Sequence, residues 1–129
     1  MNKLPHNYEM LAPTVMDMEL IYEYLDELLE LAKSGKYDRF EVCEALCELV
    51  QVRMGDNMLS PKLSYATQMF NLLSLYWPKT EEHLDSYLTV LINLDLKERL
   101  VEFLREKEKN DLKKYEQILI NEIFDELQA

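Results

Sequence analysis

Glycine and proline are scarce in this chain, which has two glycines and four prolines among its 129 residues. Loops that cradle phosphates and the G-x-S-x-G turn of α/β-hydrolases both need glycine, and neither motif occurs. With 48% apolar residues, the chain is long enough to bury the core of one domain. The composition therefore predicts a single all-α domain, and it argues against disorder and against a backbone-lined active site.

Cysteine and histidine are also rare, with two of each. Cys43 and Cys47 lie one helical turn apart, while His6 and His83 are distant in sequence. A zinc site takes about four ligands, and a helical di-metal site needs Glu-x-x-His, which neither histidine offers. We therefore expect no metal and no cofactor, and we interpret the two cysteines as small buried side chains of a reduced protein.

Long apolar runs are missing as well. No run reaches the length of a membrane span, and the first residues, MNKLPHNYEM, have no signal-peptide core. These absences predict a cytoplasmic protein that does not contact a membrane. Separately, we expect a monomer or a weak dimer.

Positive charge is in short supply, since 25 acidic residues face 14 lysines and arginines and give a net charge of −11. Direct binding of nucleic acid needs a basic surface and is not expected. A basic protein is the natural partner, because opposite fields speed association. The acid is concentrated early, since residues 1–60 carry twelve acidic and five basic side chains.

Six helices are predicted after an N-terminal arm of residues 1–13, and they form one domain of residues 14–129. The start signals are Thr14 with Asp17, Asp38 with Glu41, Ser60 with Pro61, Thr80, Asp95 with Glu98, and Asn110 or Asp111. The stop signals are Ser34 with Gly35, Gly55, and Pro78. The stretch EKEKND is a weak stop signal, and we favour a break between helices five and six over one long rod.

The third helix has no charged residue between positions 63 and 77 and is expected to be the most buried. On the second helix, the residues expected to point inward are Phe40, Val42, Leu46, Leu49 and Val50. The odd-numbered helices begin roughly 35–47 residues apart, a spacing typical of stacked helical hairpins of the HEAT or armadillo kind. An irregular helical bundle fits the same pattern, and the sequence leaves both open.

An acidic strip on the first helix is the first candidate for a binding surface. Its five carboxylates fall within roughly 100° of one another on the helix, with no Lys or Arg among them: Glu19, Glu23, Asp26, Glu27 and Glu30. Tyr22 lies at the border of this acidic strip, where an interface anchor is expected. The second helix carries a further row of acids, here called the glutamate row: Glu41, Glu44 and Glu48.

These acids can be a solvated outer face or a binding surface. Helices five and six intersperse Lys with Glu, as a merely solvated face would, whereas the acidic strip is unmixed. Crowded carboxylates also destabilise a helix by tenths of a kcal/mol per pair, so a surface kept only for stability would interleave Lys. We therefore predict that the strip, with help from the glutamate row, binds a basic partner.

Small size, strong acidity, helical structure and the lack of a catalytic motif together resemble bacterial immunity proteins, including those of contact-dependent inhibition and polymorphic toxin systems. The string Leu75-Tyr76-Trp77-Pro78 is similar to the Tyr-Tyr-Pro segment of immunity proteins for DNase colicins, where tyrosines and nearby acids contact a basic nuclease. This chain carries its acid before that string rather than around it. The resemblance implies a cognate basic toxin as the partner, occlusion of the toxin's substrate-binding cleft, and no catalytic residue in this chain.

Two other functions stay open on the sequence alone. A helical adaptor would bind a partner in an apolar groove, using the neutral third helix and its Tyr76-Trp77 end. An acidic mimic of DNA has the same sequence features as an immunity protein. The salt dependence of binding distinguishes an apolar groove from an acidic surface. Electrostatically steered association slows at high ionic strength, whereas binding through apolar contacts barely changes.

Overall fold

The computed structural model describes residues 3–11, 18–51 and 62–128, and this part of the chain contains no β-sheet. Its helices are α1 (Tyr8–Leu11), α2 (Met18–Ser34), α3 (Arg39–Val50), α4 (Leu63–Leu73), α5 (Glu81–Asn93), α6 (Lys97–Glu108) and α7 (Lys114–Gln128). The predicted single all-α domain is confirmed. The six predicted helices correspond to α2–α7, and the predicted break between the last two is confirmed by the gap between Glu108 and Lys114.

The helices pack as two rows. In one row α3 packs against α5 and α5 against α7, and in the other α2 packs against α4. α6 extends the second row, because Phe103 of α6 contacts Phe70 of α4 with ring centroids 6.0 Å apart. Two pairs of successive helices pack across the two rows as hairpins, namely α2 with α3 and α6 with α7. This is the neighbour pattern of stacked helical hairpins.

The core lies between the rows, and α3 contributes most to it. Seven of its twelve residues are buried: Val42, Cys43, Ala45, Leu46, Cys47, Leu49 and Val50. From α2, the fully buried Ile21, Leu25 and Leu28 pack into the same core. Burial of each such aliphatic side chain contributes roughly 1.5–3 kcal/mol relative to its exposure.

The expectation that the uncharged helix, α4, is the most buried is wrong. Only Ala66, Met69, Phe70 and Leu73 of its eleven residues are buried, and Leu63 is 70% exposed. Neutral polar residues such as Gln68 face water as well as charged ones do, so a lack of charge does not by itself indicate burial.

Phe40 also departs from expectation, because it is 43% exposed rather than inside. It lies in the first turn of α3, outside the core. Its ring meets the Tyr76 ring edge-on at 5.0 Å, and the Lys79 ammonium lies 5.2 Å from its centroid. The other four inward positions predicted for this helix are confirmed as buried: Val42, Leu46, Leu49 and Val50.

The helix ends follow local sequence signals in most of the described places. Asp38 caps α3 by accepting a hydrogen bond from the Phe40 N–H at 2.9 Å. Thr80 caps α5 by accepting one from the His83 N–H at 3.3 Å. Gly35 follows α2 with a φ of +72°, the left-handed conformation that glycine adopts without strain.

Asp95 was predicted to cap the next helix, and this is wrong. Its φ of 59° puts it in the left-handed conformation after α5, where its N–H donates to the Ile92 carbonyl at 3.1 Å. A short polar side chain tolerates this conformation better than most. The signals at Thr14 with Asp17, Gly55, and Ser60 with Pro61 lie outside the described residues.

The one-turn helix α1 lies within the predicted arm. It packs against α3, and its Tyr8 side chain is only 1% exposed. A single turn is too short to show a hydrophobic period, so the sequence pattern did not predict it.

Candidate protein-binding surface

The glutamate row forms a ridge between two clefts. Glu44 and Glu48 line a cleft of about 350 Å³ between α3 and α5, here called the α3–α5 cleft. Together with Glu41 they also line a second cleft, of about 420 Å³, against the N-terminal segment. The α-helical spacing of three and four residues places all three carboxylates on one side of α3.

The α3–α5 cleft is acidic. No Lys or Arg occurs among the described residues that line it: Glu44, Cys47, Glu48, Gln51, Tyr76, Glu82, His83, Ser86 and Tyr87. Three carboxylates from two helices therefore surround one small opening. Tyr76 and Tyr87 are buried beneath it, with ring centroids 5.5 Å apart in an edge-to-face contact.

Glu44 is held in place from two sides. Its carboxylate accepts a hydrogen bond from the Tyr76 hydroxyl at 3.2 Å and lies 3.6 Å from the His83 imidazole. Burial, together with the neighbouring Glu44 charge, raises the pKa of Tyr76 well above its ordinary value. The hydroxyl therefore stays protonated and can donate this hydrogen bond. The Glu44 carboxylate is thus positioned at the mouth of the cleft.

Contacts from α5 and α7 hold the loop after α4, which carries Tyr76. The buried Tyr87 hydroxyl lies 2.5 Å from the Leu73 carbonyl and 2.9 Å from the Tyr76 carbonyl. Trp77 donates its indole N–H to Glu116 of α7 at 2.5 Å. The string that resembles the colicin immunity segment is therefore packed largely into the protein, with Tyr76 only 4% exposed.

One edge of the acidic strip on α2 is tied to α4. Asp26 accepts a hydrogen bond from the Tyr65 hydroxyl at 3.0 Å. The half-buried Tyr22 contacts the Tyr65 ring at 4.6 Å, and the Lys62 ammonium lies 4.8 Å from the Tyr22 centroid. Tyr22 is thus at the border predicted for it, but it is covered by neighbours of its own chain.

The other edge of the strip is tied to the N-terminal segment. Glu27 accepts a hydrogen bond from the Tyr8 hydroxyl and lies 3.5 Å from the His6 imidazole. The exposed residues of the strip are therefore Glu19, Glu23, Asp26 and Glu30, the last lying 3.5 Å from Lys33.

The acidic strip and the glutamate row are not one continuous surface. The segment that contacts Glu27 through His6 also lines the cleft beside Glu41, and it brings Lys3 there. The acidic strip lies on α2 and the glutamate row on α3, and these helices belong to different rows of the fold. The structure instead joins the glutamate row to Glu82 and His83 of α5, which the sequence did not single out. The one sequence signal for Glu82 and His83 is their position in the first turn of α5. In stacked hairpins a helix packs beside the next but one along the chain, as α5 does beside α3.

The thiols near the cleft are poor nucleophiles. Burial raises the pKa of Cys43 from 9.0 to about 12, and burial raises the pKa of Cys47 as well. Both are buried, which confirms their interpretation as buried side chains. Ser86 also lines the cleft, and among the described residues no hydrogen bond joins it to His83. Carboxylates and hydroxyls at this opening suit a guanidinium or an ammonium group.

No group of three or more metal-ligand side chains that could hold a metal ion is found in the described ranges. In the same ranges, no helix has both the length and the apolar character needed to cross a membrane. Comparison with known protein families, with curated protein sequences and with solved structures finds no match. The geometry of the surface is therefore the basis of the functional argument.

Proposed function

We propose that this chain is an inhibitor that binds a basic protein partner in one-to-one complex, in the manner of a toxin-immunity protein, through the glutamate row and the α3–α5 cleft. One observation carries the proposal: Glu44, Glu48 and Glu82 converge on a cleft whose described lining has no Lys or Arg. A partner's arginine or lysine that enters this cleft would be withdrawn from its own substrate, and the partner's site would be covered.

The charge of the whole chain supports this function. A net charge of −11 raises the local concentration of a basic partner, and such steering can lift association rates from about 10⁵–10⁶ to 10⁸ M⁻¹s⁻¹ or more at low salt. The exposed acids of α2, Glu19, Glu23 and Glu30, add to this field without having to touch the partner.

The glutamate row is favoured over the acidic strip as the contact surface for a geometric reason. Its Glu44 carboxylate is already oriented by Tyr76, so little side-chain entropy is lost when a cation binds. It also lies between two concave surfaces, whereas the exposed strip residues lie on a single helix face.

Three triple variants test the proposal, each removing three negative charges. The first, called the cleft variant, removes three charges from the glutamate row and the α3–α5 cleft and keeps Glu44, which is bonded to Tyr76 (Glu41→Gln, Glu48→Gln, Glu82→Gln). The second removes three charges from the strip (Glu19→Gln, Glu23→Gln, Glu30→Gln), and the third removes three exposed acids elsewhere (Glu98→Gln, Glu102→Gln, Glu122→Gln). Tagged wild-type protein captures its partner from the producing cells. The partner is eluted with a salt gradient and identified by mass spectrometry, and its association rate and affinity are then measured with each variant.

We expect one basic partner that elutes with salt, and a loss of affinity of about tenfold or more for the cleft variant, since each removed cation contact costs about 0.5–1 kcal/mol. The strip variant should slow association only modestly, and the third variant should match it. The site assignment is wrong if the strip variant loses most affinity. The proposed function is wrong if the purified partner binds all three variants equally and ignores salt.

A further inference from the structure

An apolar groove lies on the other row of helices, between the C-terminal halves of α2 and α4. It encloses about 290 Å³, and its described lining is Leu29, Ala32, Lys33, Arg39, Gln68, Asn71, Leu72 and Leu75. Here it is called the α2–α4 groove. Its charge differs from that of the α3–α5 cleft, because no Asp or Glu occurs in its described lining.

The groove has an aliphatic floor and an aliphatic lip. Leu29 is buried at 5% exposure, Ala32 and Leu72 are half-buried, and Leu75 is 64% exposed at the start of the loop after α4. An exposed leucine beside partly buried aliphatic side chains leaves apolar surface that a partner can cover. The volume is at the small end of the range of about 300–1,000 Å³ for ligand sites, so it suits one or two aliphatic side chains.

The rim of the groove is cationic, although the chain as a whole is strongly acidic. Lys33 and Arg39 are part of the lining. Arg99 of α6 reaches the same place, because its guanidinium donates to the Asn71 side-chain oxygen at 2.7 Å and lies 4.4 Å from the Phe70 centroid.

Glu30 is the acid that the structure pairs with this rim, through Lys33 at 3.5 Å. Both side chains are more than 60% exposed, and an exposed pair of this kind contributes little, so Lys33 can exchange it for another carboxylate. Arg39 is exposed and offers the planar fork that binds a carboxylate through two hydrogen bonds.

We propose that the α2–α4 groove binds an amphipathic segment of a partner protein that presents leucine-type side chains flanked by carboxylates. The leucines cover Leu72 and Leu75, and the carboxylates meet Arg39 and Lys33. This site has the opposite charge preference to the α3–α5 cleft, and it does not rest on the proposed inhibitor function.

The probes are three synthetic 14-residue helical peptides. The first has two leucines four residues apart with flanking glutamates, the second has the same leucines with flanking lysines, and the third has alanines in place of the leucines with the glutamates kept. Binding to ¹⁵N-labelled protein is followed by amide chemical shifts at 0.15 M salt, where charges more than about 8 Å apart are largely screened.

The first peptide should shift the amides of Ala32, Leu72 and Leu75, and it should bind at least about fivefold more tightly than the third. The double variant Lys33→Glu with Arg39→Glu should weaken it about tenfold, by loss of two charge contacts and gain of repulsion. The control Lys97→Glu with Lys114→Glu changes the net charge equally at exposed positions outside the groove and should leave its affinity unchanged.

Three results overturn the proposal: no shifts with the first peptide at millimolar concentration, shifts that map outside the groove, or equal weakening by the two double variants. Shifts at the groove with the lysine-flanked peptide that match those of the first would show apolar contact without charge selection, which also overturns it.

Discussion

At the scale of single residues, Glu116 is the one charged side chain among the described residues that is buried, at 8% exposure. One carboxylate oxygen accepts from the Trp77 indole at 2.5 Å, and the other from the Lys113 backbone N–H at 2.8 Å. The Lys107 ammonium lies 5.1 Å from the Trp77 ring and brings a positive charge close by. Glu116 thus caps the first turn of α7 and joins this helix to the loop that holds Tyr76.

Replacement of Glu116 by Ala should lower the free energy of unfolding by about 1–3 kcal/mol, because it leaves a partly buried indole N–H without a partner and removes the bond to the Lys113 N–H at the start of α7. Urea unfolding followed by the fluorescence of the single tryptophan measures this directly. The native emission should also change, because Trp77 loses its hydrogen bond.

The matched control for this prediction is Glu122→Ala, an exposed position on the same helix. It should change stability by no more than about 0.5 kcal/mol. An equal loss in both variants would mean that helix propensity, and not the buried contact, accounts for the effect of Glu116.

At the scale of one element, α2 carries a cost in its acidic strip. Glu23 has Glu19 and Glu27 four residues away on either side and Asp26 three residues on, so its charged neighbours at these spacings are all negative. Like charges at these spacings destabilise a helix by about 0.2–0.5 kcal/mol per pair.

Glu23→Lys should therefore stabilise the protein by about 0.5–1 kcal/mol, because it turns three repulsions into attractions. Thermal unfolding followed by circular dichroism measures the change. On α6, Glu102→Lys is the control, since Glu98 and Glu106 at four residues are balanced by Arg99 and Arg105 at three, and it should change stability little. A destabilised Glu23→Lys variant would contradict the electrostatic argument.

The helices of this fold are predictable from sequence where their signals are local. Asp38 and Thr80 cap helices because the cap and the N–H it binds are two or three residues apart. The candidate surface is less predictable, because its partners are 19 to 39 residues apart. The bond from Tyr8 to Glu27 and the meeting of Glu44 with His83 depend on which helices stack, which periodicity does not specify.

At the scale of the whole molecule, ionisable groups are used as core material. Tyr8, Tyr87 and Cys43 are each no more than 1% exposed, and Tyr76 and Cys47 are nearly as buried. Burial is the largest cause of a raised pKa in all five, with nearby Glu27 and Glu44 adding to it at Tyr8 and Tyr76. The neutral forms of these groups therefore fit the folded protein, and their anions do not.

This arrangement predicts loss of stability in alkali. In the unfolded chain the thiols and the phenols ionise near their ordinary pKa values of 9.0 and 10.0, while in the folded protein they stay neutral to higher pH. Their contribution is thus fully present below pH 9.0 and is lost progressively above it. The free energy of unfolding, measured with urea at each pH, should be level from about pH 7 to 8.5 and then fall, with a loss of about 3 kcal/mol by pH 10. The urea midpoint should fall with it.

The double variant Cys43→Ala with Cys47→Ala separates the thiols from the phenols. It should be less stable at neutral pH because two buried side chains are shortened. Its stability should fall less steeply between about pH 8.5 and 9.5, where the thiols of the wild-type unfolded chain titrate more than its phenols. If its slope against pH equals that of the wild type, the thiols are not the cause. A wild-type midpoint that stays level to pH 10 would contradict the prediction, because it would show that these groups ionise in the folded protein as readily as in the unfolded chain. The rings and thiols packed beneath the α3–α5 cleft would then become accessible to water in alkali without global unfolding.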